Sequence, residues 1–214
     1  MQVNTINNST SFKGIKLQTL NSSSKKIDIY SLDSRDGSFI SKLSDLTQNI
    51  SLPKDTFKIG NKTPRQILLN ALHKASVSTK NDYTSKILLS VENDRTITGI
   101  LNAEYEGDMT IKDLAVWSKG ETVQGLLSTM INETQKLQNS ALIIYADGIM
   151  EPVKKICTKM GFIKPKDEPS IYTIDYPDIK KAIKNIESFS NYKVKQYKNN
   201  NFISLDKKLI DINI

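Results

Sequence analysis

The sequence has 214 residues, a formal net charge of +7, 38% hydrophobic residues and 25% charged residues. This length accommodates one well-buried domain with additions and is short for two full domains, so we expect a single core. One cysteine, Cys157, excludes an intramolecular disulfide, and one histidine, His73, leaves no pair for a zinc site, so we expect no metal.

The remaining composition bears on location and partners. No apolar run approaches the ~18 residues that a transmembrane helix needs, and the first residues lack the apolar centre of a signal peptide. We therefore expect a cytoplasmic protein with no membrane partner. The positive charge favours anionic partners. Residues 178–214 hold eight lysines against four acidic residues, scattered among Asn, Ile and Asp, which disfavours a nucleic-acid partner.

The chain opens with a polar stretch, residues 1–26, that predicts a flexible arm in which only residues 12–20 could pair with another strand. Residues 27–32 alternate as a strand does. Asp33 or Ser34 can then cap a helix. The apolar residues that fall on one face of this helix are Phe39, Ile40, Leu43, Leu46 and Ile50.

Residues 51–62 contain Pro53 and Gly60 and are interpreted as a connection. Thr63 then caps a second helix that Pro64 starts. His73 lies beside the apolar stripe of this helix, where a surface position without a catalytic role is expected. The stripe itself consists of Ile67, Leu68, Ala71, Leu72 and Ala75.

Three strands are predicted next, over residues 85–91, 96–105 and 110–117, and the short polar links between them predict an antiparallel meander. An amphipathic helix over 123–138 and a strand over 141–146 follow. The last meander strand, this helix and this strand form a crossover unit with parallel strands. The turn at 118–122 enters the helix, where backbone N–H groups can receive an anionic ligand.

The remaining predicted elements are a helix over 152–160, a hairpin joining 162–163 to 170–176, a helix over 178–189, and a terminal hairpin joining 192–198 to 202–205. This order predicts an α/β (α+β) fold with a mixed sheet and helices on both faces. The predicted domain spans residues 27–177. Residues 178–214 form a basic extension with a helix and a hairpin.

This order of elements resembles that of the GNAT superfamily of N-acetyltransferases, of which the chain looks like a divergent member. Three stretches carry the resemblance: residues 113–116 on the fourth strand, the apolar pairs 126–127 and 130–131 on the following helix, and Lys159-Met160-Gly161-Phe162. The resemblance implies transfer of an acyl group, usually acetyl from acetyl-CoA, to an amine by direct attack. The acceptor would be a small-molecule or peptide amine.

The resemblance also implies a cofactor site, because in this superfamily the turn after the fourth strand binds the pyrophosphate through backbone N–H groups. The superfamily's glycines are out of register here, whether Leu126 or Leu127 is aligned with its first leucine. Glu121 adds a negative charge that Lys119 could offset. The implied cofactor-binding residues are Ala115, Val116, Lys119, Gly120, Glu121, Thr122, Val123, Gln124 and Gly125.

Catalytic candidates follow from the same resemblance. Cys157 occupies the position of the superfamily's general acid, four residues before Gly161, and its alternative role is that of a small core residue. Asp113 and Glu104 lie near the superfamily's carboxylate bases, and their alternative role is that of solvent-facing strand residues. Trp117 could line the acyl channel or anchor a strand end.

Two functions from different classes stay open. The first is an acyl-CoA-dependent N-acyltransferase. The second is a catalytically inactive module that keeps the fold and uses its groove or its basic extension to bind a partner. A third alternative, an exported protein with the polar arm as its signal, rests on composition alone, and the sequence does not fix the oligomeric state.

Overall fold

The computed structural model describes residues 4–6, 14–21, 25–49, 52, 56–79, 84–137, 139–189, 193–196 and 210–212. The helices in this part of the chain are α1 (Gly37–Asn49), α2 (Pro64–Val77), α3 (Gly120–Gln135), α4 (Glu151–Lys159) and α5 (Tyr176–Phe189). The strands are β1 (Asn4–Ile6), β2 (Ile15–Asn21), β3 (Lys26–Leu32), β4 (Phe57–Ile59), β5 (Ser85–Glu92), β6 (Thr96–Tyr105), β7 (Met109–Val116), β8 (Leu142–Tyr145), β9 (Ile171–Ile174), β10 (Lys193–Gln196) and β11 (Ile210–Ile212).

One mixed sheet with the order β10-β2-β3-β5-β6-β7-β8-β9 forms the centre of the fold. The meander β5-β6-β7 is antiparallel, and β8 runs parallel to β7 after the α3 crossover. β1 pairs with β11, which also touches β6, and β4 pairs with β7. The predicted mixed sheet with helices on both faces is confirmed.

Helices pack on both faces of this sheet because neighbouring strand residues point to opposite sides. Leu114 and Val116 of β7 join the apolar core formed with α3, α4 and α5. Ala115 joins the core formed with α1 and α2. Thr63 and Gln66 form the capping box that begins α2. None of the described helices is long and apolar enough to cross a membrane.

Ile15–Asn21 form β2 between β3 and β10, so the strand pairing that the sequence allowed within residues 12–20 is present from Ile15 onward. Three polar residues of this strand, Lys16, Gln18 and Thr19, are buried with partners, which their composition does not reveal. Lys16 Nζ lies 2.8 Å from Asp28 Oδ2, and Gln18 Nε2 donates to Ser128 Oγ at 2.7 Å. Buried polar groups are stable when such partners satisfy them.

The segment after residue 177 belongs to the same sheet and core. Ile179, Ala182 and Ile186 of α5 are buried in the core that includes α3. β10 pairs antiparallel with β2, with Lys193 opposite Asn21 and Gln196 opposite Gln18. The predicted pairing of this strand with residues 202–205 involves a segment outside the described residues. The predicted basic extension therefore supplies an edge strand and part of the core.

The predicted connection between α1 and α2 contains a strand, β4, that the sequence did not indicate. β4 pairs antiparallel with β7, with Phe57 opposite Val116 and Ile59 opposite Leu114. Three residues between Pro53 and Gly60 are too few to show a period of two, so the pattern favoured a loop. This strand lies on the part of β7 where the site was predicted.

Candidate active site

The parallel strands β7 and β8 pair only over the first three residues of β7, Met109–Ile111. β7 then continues to Val116, and α3 begins four residues later at Gly120. The strands therefore separate in front of the N-terminus of a helix. Such a place combines an open strand edge with N–H groups that have no partner inside the helix.

In this protein β4 occupies the open edge. It pairs with residues 114–116 of β7, so both edges of this part of β7 are hydrogen-bonded, to β6 on one side and β4 on the other. On its far side β4 contacts the start of α4, where the Met150 N–H donates to the Lys58 carbonyl at 3.3 Å. Ile59 is buried in the core. The space between β7 and β8 is therefore filled by a strand of the chain itself.

The N-terminus of α3 retains features of an anion site. Lys119 precedes the helix in an extended conformation, and its side chain forms no capping hydrogen bond. The Thr122 N–H donates to the Lys119 carbonyl at 3.0 Å, so the unpaired N–H groups of this turn belong to Gly120 and Glu121. Lys119 is exposed and contributes a positive charge, whereas the Glu121 carboxylate opposes an anion.

The remaining predicted cofactor-binding residues lie apart from this N-terminus or inside the cores. The helix begins at Gly120, earlier than the predicted start at residue 123, so Val123 and Gly125 lie within α3. Gly125 is buried against β2: a Cβ added there would meet Leu20 Cδ1 at 3.0 Å. Gly125 therefore allows close packing and lies away from the helix N-terminus. The buried members of the predicted group are Ala115, Val116, Thr122, Val123 and Gly125, and Gln124 is half-buried.

Asp113 lies where β7 is irregular. The pairing of β6 with β7 shifts register between Asn102 and Ala103, which leaves Lys112 as the extra residue of a β-bulge. The Asp113 side chain is only 4% exposed, and its Oδ2 lies 2.9 Å from Lys62 Nζ. The alternative role of Asp113 was that of a solvent-facing strand residue. Its burial rules that role out. It is a buried carboxylate with one ammonium partner.

Glu104 belongs to a second group of charges at the end of β6. It forms ion pairs with Lys74 and, at 3.9 Å, with Lys112. Burial lowers the pKa of the Lys74 ammonium, against the raising effect of Asp113. Glu104 and Lys74 line a surface pocket of about 430 Å³. The two predicted bases thus have different lysine partners, and no direct contact joins them.

Cys157 lies in the apolar core and is fully buried. Burial raises the pKa of its thiol to about 12. A thiol enclosed in the core cannot protonate a leaving group in front of the α3 N-terminus. This placement therefore argues against the predicted acid role. It agrees with the alternative, a small apolar residue that packs beside Val153 and Met160.

Trp117 is anchored to the sheet and does not line a channel. Its indole Nε1–H donates to the Ile97 carbonyl at 2.8 Å, and its ring packs on the core of α1 and α2. This is the strand-end anchor that the sequence left as an alternative.

Two residues beside Asp113 were not singled out from the sequence. Lys62 is its ion-pair partner. Asn102 is the residue directly opposite Asp113 on β6, and its fully buried side-chain amide has no hydrogen-bond partner. Tyr145, which ends β8, contacts the neighbouring Lys112, whose Nζ lies 5.8 Å from the centre of its ring. No spacing in the sequence reports such contacts.

Among the residues that the structure describes, no group of three or more His, Cys, Asp or Glu side chains is placed to hold a metal ion.

The chain has the GNAT-like fold that the order of its elements predicted. The structure of Mycobacterium smegmatis RimJ in complex with CoA-disulfide matches with a TM-score of 0.51 and 10% identity, covering 83% of this chain and 96% of that one.

Two further structures are similar at lower scores. An N-acetyltransferase from Staphylococcus aureus Mu50 has 15% identity and a TM-score of 0.43 over 71% of this chain and 98% of its own. The AtaTR complex bound with AcCoA has 13% identity and a TM-score of 0.46 over 72% and 96%. No protein-family model matches the sequence, and no curated protein matches it.

Proposed function

We propose that this chain is an acyl-CoA-dependent N-acyltransferase that moves an acetyl group from acetyl-CoA to a small-molecule or peptide amine by direct attack. The observation that carries the proposal is the separation of β7 from β8 in front of the α3 N-terminus, with the buried carboxylate of Asp113 on the same strand. The proposed setting is the cytoplasm, and nucleic acid has no part in the proposed reaction.

With β4 in its present position, the site suits only the phosphate end of acetyl-CoA. The N–H groups of Gly120 and Glu121 and the exposed ammonium of Lys119 suit the phosphates, and Glu121 weakens this fit. The arm of acetyl-CoA that carries the thioester would fit only if β4 leaves the edge of β7. At present β4 is hydrogen-bonded to residues 114–116 along that edge. Acetyl-CoA, when bound, would supply an acyl group activated as a thioester; the amide C–N bond would form as the thioester C–S bond breaks, and CoA would leave as the thiol with the proton lost by the amine.

Asp113 is the proposed general base. Its carboxylate now contacts the Lys62 ammonium, and an acceptor ammonium in the same position could transfer a proton to it and become the neutral amine that attacks. Its burial keeps competing water away. Glu104 is the weaker candidate because it forms ion pairs with two lysines at the surface. Cys157 takes no part in the proposed chemistry.

Calorimetric titration with acetyl-CoA tests the proposal. We expect saturable binding with a Kd in the micromolar range, and a loss of roughly tenfold or more in Lys119→Glu, because the variant puts a second carboxylate beside Glu121 at the phosphate site. Lys136→Glu, at the opposite end of α3, makes the same charge change and should bind as wild type does. Absence of binding at millimolar acetyl-CoA in wild type and every variant would rule the enzyme out.

A second function, the inactive binding module, is favoured by one observation. β4 is hydrogen-bonded to β7 along the edge that the cofactor arm would need, and its Ile59 is buried. If this strand never leaves, the fold serves as a scaffold. The same titration separates the two, since a permanent β4 predicts no acetyl-CoA binding at any concentration.

A further inference from the structure

The segment of residues 56–62, which we call the strap, contains β4 and the turn that ends at Lys62. We propose that the strap is an internal pseudosubstrate, in which the Lys62 ammonium takes the place of the acceptor amine at Asp113. The acceptor is then a primary ammonium on an aliphatic stem, such as a lysine side chain. This inference rests on the proposed acyl transfer and names the substrate class and the regulation of that same site.

The ion pair at the end of the strap is the first support. Lys62 Nζ donates to Asp113 Oδ2 at 2.9 Å. The carboxylate is 4% exposed while the lysine side chain is 46% exposed, so the lysine reaches inward from the surface. A buried carboxylate needs a cationic partner, and Lys62 supplies it. An acceptor amine would have to displace this ammonium to reach the base.

The fit of the turn around Asp113 is the second support. Gly60 has φ of +101°, and a Cβ there would lie 2.7 Å from Asp113 Oδ1. A Cβ added at Gly148, in the loop between β8 and α4, would lie 2.5 Å from Asn61 Oδ1 and 2.9 Å from the carbonyl carbon of Gly60. Glycines at both positions let the turn lie directly against the carboxylate and the loop.

The amide of Asn102 is the third support. Asn102 and Asp113 are directly opposed across β6 and β7, so their side chains share one face of the sheet. Neither the amide nitrogen nor the amide oxygen of Asn102 has a partner, although the residue is fully buried. Leaving such a group unpaired is costly. Beside Asp113 it offers a donor and an acceptor to an incoming ligand.

The strand part of the strap explains how one movement would open both halves of the site. β4 covers residues 114–116 of β7, where the acyl donor must lie, and the turn covers Asp113, where the acceptor must lie. Lys62 lies five residues after Phe57, the first residue of β4. Withdrawal of Lys62 from Asp113 therefore loosens the segment that also blocks the donor side.

Hydrogen exchange tests the strap without relying on turnover. Lys62→Met keeps the aliphatic stem and removes the charge, so we expect the β4 amides to exchange roughly three- to tenfold faster than in wild type. The matched control Lys136→Met removes a charge at the far end of α3 and should leave them unchanged. Millimolar Nα-acetyl-lysine methylamide should speed β4 exchange in wild type, whereas its uncharged norleucine analogue should not.

Kinetics with the same probe complete the test. Lys62→Met should lower the KM for Nα-acetyl-lysine methylamide about three- to tenfold with kcat unchanged, because the internal competitor is gone. Equal KM values in Lys62→Met and Lys136→Met, with acetyl-CoA bound and consumed by both, would overturn the pseudosubstrate and leave the proposed function intact. Failure of wild type and of every variant to bind acetyl-CoA would refute both the pseudosubstrate and the proposed acyl transfer.

A disulfide provides a second variant if Lys62→Met unfolds because Asp113 loses its partner. Lys58 and Ala115 are directly opposed on β4 and β7, at a spacing that a cross-strand disulfide can bridge. The double variant Lys58→Cys, Ala115→Cys should bind acetyl-CoA at least tenfold more weakly when oxidised than when reduced. Measurable and equal binding in both redox states would refute the proposal that β4 must leave β7.

Discussion

At the scale of single residues, the environment of a side chain decides its chemistry more than its position in a motif. Cys157 and Asp113 were both candidates because of where a resemblance placed them. The structure buries Cys157 among apolar groups and gives Asp113 a lysine partner. Residue spacing reports neither the solvent access of a thiol nor the ion pair of a carboxylate, so the sequence left both alternatives open for each.

The buried thiol predicts a specific pH dependence of stability. The pKa of Cys157 rises from 9.0 to about 12 on folding, so the folded protein holds this proton more tightly than the unfolded chain. Stability is unaffected below pH 9 and falls as the pH rises from 9 towards 12. Relative to Cys157→Ala, wild type should lose roughly 1 kcal/mol of unfolding free energy between pH 8 and pH 10, measured by urea titration.

The thiol-free variant also serves as the control for catalysis. Any other group that titrates near pH 10 is present in both proteins, and its contribution cancels in the difference. Turnover of Cys157→Ala should equal that of wild type at neutral pH. A constant stability difference at both pH values would mean that the thiol is reached by solvent.

At the scale of elements, the sequence predicted the periodic helices and strands, missed β4, and allowed but did not define β2. The meander, α2, α3 and the crossover to β8 follow from apolar periodicity and caps, and the structure contains them. β4 has three residues, and β2 buries Lys16 and Gln18 through partners that are distant in sequence. A strand defined by its partners leaves no periodic signal of its own.

The close approach of α3 to β2 gives a prediction for Gly125. Leucine at this position has no room beside Leu20 and would push the helix from the sheet, so Gly125→Leu should cost roughly 1–3 kcal/mol of stability. A Cβ at Gly120 would meet Ile156 Cδ1 at an ordinary 3.5 Å, so Gly120→Ala is the matched control and should be neutral or slightly stabilising. Thermal unfolding measures both. Equal effects would show that Gly125 has no packing role.

At the scale of the whole molecule, one sheet joins segments that the sequence divided into arm, domain and extension. β2 precedes the predicted domain and β10 follows it, yet they pair with each other, and β2 also pairs with β3. The two apolar cores lie on opposite faces of this shared sheet. The segment boundaries were predicted from changes in polar composition. Strand pairing crosses these boundaries because backbone hydrogen bonds do not depend on how polar the side chains are.

This continuity predicts cooperative unfolding. Ile186 of α5 is buried, and Ile186→Ala should cost about 2–4 kcal/mol. Trp117 packs on the opposite face, so its fluorescence and the far-UV circular dichroism should give one coincident urea transition, shifted equally by the variant. Ile163→Ala, at an exposed position, should stay within about 0.5 kcal/mol of wild type. Separate midpoints for the two signals would mean that α5 unfolds independently.

The pairing of β10 with β2 has a consequence for biosynthesis. Lys193 lies opposite Asn21, so the hydrogen-bonding edge of β2 gains this partner only after residues 193–196 have left the ribosome. An open strand edge is a template for pairing with other chains, and contacts between residues so distant in sequence form slowly. The nascent protein therefore passes through a stage in which β2 can bind a chaperone or a neighbouring nascent chain, and β10 ends that stage.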